Sequence, residues 1–159
     1  MEARVEQARP QDRNLVAGLV HSYPFRVCFA DTDAGGVMHH AAYLVAAERA
    51  RTELLREMGF GQAELRKTHG ILLAVAKVTA EYRRPALLDE LVTFRSSLAG
   101  LGGASFDARQ ELWRPGKSQG DELLTTLGLR LVCLGENGRA ARLPGELRDR
   151  LAACLLKGE

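Results

Sequence analysis

Two hydrophobic periods divide this chain. Between residues 41 and 58 there is no Gly or Pro, helix formers dominate, and Gly59 stands where a C-terminal cap belongs, which predicts one long helix. Its first half, AAYLVAA, is apolar on every side and is expected to be buried all round. Its second half gathers Ala47, Ala50, Leu54 and Met58 on one stripe beside Arg49, Arg51, Glu53 and Arg56. A shorter helix is predicted at 62–68. The remaining apolar runs have the shorter period of strands: YPFRVCF at 23–29, then 71–84, 91–100, 104–114 and 123–134. After Pro144, residues 145–156 read as a terminal helix or a ragged tail.

Turn signals separate the last four strands: Pro85 with Asp89, then Gly102-Gly103, then Pro115-Gly116, with Asn137-Gly138 following. Each connection is too short for a helical crossover, so consecutive antiparallel hairpins are expected. One strand, one long helix and four antiparallel strands make an α+β arrangement in which the apolar helix covers one face of the sheet. Its edge strands invite pairing with a second copy.

Composition narrows the field. The 159 residues suit one domain, and 22 Lys and Arg against 20 Asp and Glu leave a net charge of +2, no electrostatic footprint for nucleic acid. With 46% hydrophobic and 26% charged residues the chain reads as globular rather than disordered. Apolar runs reach about seven residues, far below the roughly twenty a spanning helix requires, so no membrane insertion is expected. Residues 1–20 are polar and lack the apolar core of a secretory leader; they are read as a tail before a single domain over 21–159. Cys28, Cys133 and Cys154 form an odd set without CxxC spacing, which suggests neither disulfides nor a cysteine metal site. They are expected to be small buried side chains in a cytoplasmic protein.

Reactive groups are densest in ADTDAGGVMHH, where Asp31, Asp33, His39 and His40 span a glycine-bearing turn before the helix. Gly35 and Gly36 can supply unusual backbone angles there. The first N–H groups of a helix lack intrahelical partners and favour negative charge, so this terminus could stabilise an oxyanion. A nearby carboxylate could attack a carbonyl or activate water. Two other readings stay open on the motif alone: Asp-x-Asp as ordinary turn and capping chemistry, and the four side chains as metal ligands. Adjacent histidines at a helix start diverge by about 100° and argue against the second.

The stretch RVCFADTDAGGVMHHAAYLVAAERARTELLREMG resembles the signature of the YbgC-like, Tol–Pal-associated acyl-CoA thioesterases, within the 4-hydroxybenzoyl-CoA thioesterase-like superfamily. The likeness continues through THGILLAVAKVTAEYRRPALLDEL and LGGAS. The resemblance implies the hot-dog fold, a five-stranded antiparallel sheet wrapped around one long helix. It implies hydrolysis of a short-chain aliphatic acyl-CoA to free acid and CoA, with no metal or bound cofactor, in a homodimer or homotetramer. Acyl carrier protein is an alternative carrier of the acyl group. An aromatic acyl-CoA thioesterase, or a binding module with little turnover, are alternative functions.

Carried over residue by residue, the resemblance places the catalytic carboxylate at Asp33 and leaves Asp31 structural. It places at His40 the backbone N–H that polarises the thioester carbonyl. Tyr43 lines the acyl pocket, with Gly36 and Val37 of the turn also among the substrate-binding positions. Glu48 of the E-R pair is read as a structural ion pair, a subunit contact, or a group facing a neighbouring subunit's pocket. Phe29 and Ala42 depart from the family, which often has Tyr and Asn there. Arg83 and Arg84, ending the second strand, are read as a solvated pair or as contacts for the CoA phosphates.

Overall fold

The structure is a computed structural model and describes residues 21–155. The expected tail at 1–20 and the last part of the expected terminal element lie outside the described residues. In chain order the elements are β1 (His21–Arg26), α1 (His40–Glu57), α2 (Gln62–His69), β2 (Ile71–Tyr82), β3 (Leu91–Leu101), β4 (Ser105–Arg114), β5 (Glu122–Gly135) and α3 (Gly145–Cys154). The strands form one antiparallel sheet in the order β1-β3-β4-β5-β2. The long helix is where its pattern put it, and Gly59, with φ of 85°, follows its C-terminus.

One face of the sheet is apolar by alternation. Val92, Phe94 and Leu98 of β3, Phe106 and Leu112 of β4, and Leu127, Leu129 and Leu131 of β5 are buried on it. α1 lies on that face with Ala42, Ala46, Ala47 and Ala50, whose short side chains let helix and sheet approach closely. A polar pin crosses this layer. Buried Gln110 of β4 donates to the Ala47 carbonyl (3.1 Å) and to Ser96 Oγ (3.0 Å), and accepts from Arg51 Nη1 (2.7 Å). Three elements are thereby held in one register, with burial strengthening each bond.

Three expectations are corrected. Of the three expected hairpins, those at Gly102-Gly103 and Pro115-Gly116 form, joining β3 to β4 and β4 to β5, but the one at Pro85 does not: β2 lies at one edge and β3 resumes next to β1, so that connection crosses between distant strands. Connection length alone could not show this, because the sheet closes β2 against β5 instead. The first strand stops at Arg26 rather than reaching Phe29, because residues 29–31 coil into a 3-10 turn in which the Cys28 N–H donates to Asp31 Oδ2 (2.8 Å). The first half of α1 is not covered all round: Leu44 and Val45 are exposed, since the helix packs mainly against β1 and β3 through its other face. Of the cysteines, Cys133 is buried, Cys154 half-buried and Cys28 exposed.

Candidate active site

The turn between β1 and α1 folds back on itself as a short hairpin. The Asp33 N–H donates to the Val37 carbonyl (2.9 Å), Thr32 bridges Met38, and the His39 N–H donates to the Asp31 carbonyl (2.9 Å). Gly36 makes the reversal possible with φ of 75°, whereas Gly35 keeps an ordinary φ. The two aspartates of the motif then have different duties. Asp31 spends a carboxylate oxygen on the Cys28 N–H and builds the 3-10 turn. Asp33 is exposed, and among the described residues its carboxylate accepts the Gly35 N–H at Oδ1 (2.8 Å), with no bond at its other oxygen.

This hairpin ends at His39, which caps α1 through its backbone, and α1 opens with His40. The His39 and His40 rings meet edge to face, with centroids 6.3 Å apart at 80°. Among the described residues the two aspartates and two histidines do not gather into a metal-ligating group.

His40, Tyr43 and Met38 line a cleft of ≈ 290 Å³ with Tyr82, Arg83, Arg84 and Pro85 from the end of β2. Tyr43 is buried at its inner wall, and the Ala86 N–H donates to its hydroxyl (3.1 Å). Tyr82 meets it edge to face at 5.1 Å and donates its O–H to the His40 carbonyl (2.9 Å). Burial, then the neighbouring Tyr43, push the Tyr82 phenol above its ordinary value, so it remains a donor. Asp33, Gly36 and Val37 sit on the adjoining hairpin rather than in the cleft wall. Glu48 lies two turns further along α1 and pairs with Arg51, not with Arg49.

Pattern reading missed the segment that holds these parts together. Residues 85–90, between β2 and β3, reach the hairpin at three points: the Met38 N–H donates to the Ala86 carbonyl (2.8 Å), Val37 bridges Leu87, and the Leu88 N–H donates to the Gly36 carbonyl (3.1 Å). Arg114 of β4 secures the segment from behind. Its guanidinium grips Glu90 through two bonds (2.8 and 2.9 Å), Glu122 through one (2.6 Å) and the Pro85 carbonyl (2.8 Å). The only sequence signal for this was Pro85 followed by an acidic pair.

The comparisons with known proteins agree with this architecture. Residues 27–151 match the model of the thioesterase-like superfamily. The chain is 40% identical over 90 residues to the acyl-CoA thioester hydrolase YbgC of Escherichia coli O6:H1; the match takes in 57% of this chain and 66% of that relative, just under two thirds of its length. It is 33% identical over 117 residues to the long-chain acyl-CoA thioesterase FadM of Escherichia coli K12, covering 72% of this chain and 83% of FadM. A solved structure of a hypothetical protein from Thermus thermophilus superposes with a TM-score of 0.75 at 29% identity, covering 84% of this chain and 98% of the other. With a helix-covered five-stranded sheet of this order and a family match over most of its length, the chain belongs to the thioesterase-like superfamily and has its hot-dog fold.

Proposed function

We propose that the protein is an acyl-CoA thioesterase that hydrolyses a short aliphatic acyl-CoA to the free acid and CoA. The observation that carries this reading is the junction of an exposed carboxylate, Asp33, with the start of α1, where first-turn N–H groups lack intrahelical partners. The thioester carbonyl sits against the His40 N–H, which stabilises the oxyanion as it forms. In one route Asp33 takes a proton from a water as that water adds to the carbonyl carbon, and passes it to the thiolate as the C–S bond breaks; in the other its carboxylate adds to the carbonyl carbon and expels the thiolate, which is protonated by solvent, and water then hydrolyses the mixed anhydride to release the acid and restore Asp33. The short acyl class is supported by the buried side chains of Tyr43 and Met38, which leave little depth beneath the cleft. No bound cofactor enters these steps. Similarity to YbgC and FadM supports the activity.

Release of free CoA thiol from acetyl-, butyryl-, hexanoyl-, palmitoyl- and benzoyl-CoA tests the reading, with Asp33→Asn beside the parent. Turnover on the short esters that falls by about 10²-fold or more in the variant is expected. Near-parental turnover in Asp33→Asn would remove Asp33 from the mechanism. Preference for benzoyl-CoA would move the acyl class to aromatic esters.

A further inference from the structure

We propose that Arg83 and Arg84 form a phosphate-binding subsite that reads the anionic handle of the substrate, an assignment that rests on the thioesterase reading above. The two arginines line the same cleft as His40 and Tyr43, and their side chains are 52% and 68% exposed, toward its solvent side. Tyr82, whose hydroxyl reaches the His40 carbonyl, is the last residue of β2, and Arg83 and Arg84 follow it directly, so their long side chains start beside the helix terminus. A flexible arm joined to the thioester at the helix start runs toward this rim, and its charged end needs cations there.

The main chain that presents them is fixed. The N–H groups of Arg83 and Arg84 both donate to the Leu124 carbonyl, at 2.8 and 3.1 Å, which closes the end of β2 onto β5. The side chains are not fixed. Arg83 spends one nitrogen on Glu81 (2.9 Å) and Arg84 one on Glu122 (3.1 Å), and all four side chains are well exposed. Exposed pairs of this kind are weak and exchange readily. A guanidinium has five donors in a fork that fits two phosphate oxygens at once, so most of the donating capacity of both arginines is open to a phosphate. The carboxylates of Glu81 and Glu122 then act as competitors that a doubly charged phosphate displaces.

Steady-state kinetics of Arg83→Gln/Arg84→Gln on three butyryl thioesters, of CoA, of phosphopantetheine and of pantetheine, test the assignment. The expected result is a KM for butyryl-CoA raised about tenfold with kcat kept, while butyryl-pantetheine, which has no phosphate, changes by less than about twofold. A loss shared by the phosphopantetheine ester assigns the subsite to the phosphate of the arm, common to CoA and carrier proteins; a loss confined to CoA assigns it to the nucleotide phosphates. Glu81→Gln frees Arg83 and is expected to lower the KM for butyryl-CoA. An unchanged KM for butyryl-CoA, or an equal loss on all three esters, would overturn the assignment. Should the double variant fail to fold, the single variants carry the same comparison. If the parent hydrolyses none of the esters, the thioesterase reading fails by itself, and calorimetric binding of CoA to parent and variant decides the arginines: equal binding overturns the subsite.

Discussion

Tyr43 and Tyr82 share one wall of the cleft but differ in what their hydroxyls hold. The Tyr43 oxygen accepts the N–H of Ala86, a residue with no exposed surface, so removing it leaves a buried donor without a partner. Tyr43→Phe is expected to cost about 1–3 kcal/mol in urea unfolding. The Tyr82 hydroxyl donates to a carbonyl at an exposed position, where water can replace it. Tyr82→Phe should cost about 1 kcal/mol or less, and a reversed ranking would contradict the geometry. At Gly36 a Cβ meets open space, so Gly36→Ala isolates the strain of a φ of 75°, expected at about 1–2 kcal/mol. At this scale the sequence singles out Asp33, His40 and Tyr43 as candidates, which lie within eleven positions of each other. Tyr82 and Ala86 stand some forty positions away, and no local spacing pointed to them.

Among the elements, the 85–90 segment owes its position to the Arg114 clamp. Burial opposes ionisation of Glu90, but hydrogen bonds from Arg114 and the Leu87 N–H, with the charge of Arg114, outweigh it and hold the carboxyl below its ordinary value. A carboxyl lowered in the folded state stabilises the fold above its unfolded pKa of about 4.5, and that stability is lost as pH falls through the lower folded value. The parent is therefore expected to lose stability as pH drops below about 4.5, and Arg114→Met to show a flatter acid limb in thermal melts. An equally steep limb in the variant would remove Glu90 from the account. Helix and strand positions were legible because their periods are local. Pairing was not: β2 meets β5 across more than forty residues, and hairpin-length connections hide that choice.

At the scale of the molecule, the edge strand β2 has no neighbour on its outer side among the described residues. Its register with β5 carries the helix-facing row of Leu127 and Leu129 onto Ala80 and Val78, which are exposed, as are Leu44 and Val45 of α1. An unpaired edge beside uncovered apolar side chains suits a second copy of the chain. Sedimentation is expected to show a dimer at micromolar concentration, and Val78→Lys to shift it toward monomer. A monomeric parent would contradict this.

Surface loops usually absorb extra residues without harm. The 85–90 segment should not, because it braces the site hairpin at three points and is itself gripped from β4. The β4–β5 connection, exposed from Pro115 to Asp121, makes no such brace. A short Gly-Ser insert or a fluorescent label is therefore expected to be tolerated near Ser118 and to abolish turnover when placed after Leu87, which makes the first position the natural handle for immobilising or tracking the protein and the second a place where a grafted ligand-controlled loop would gate it.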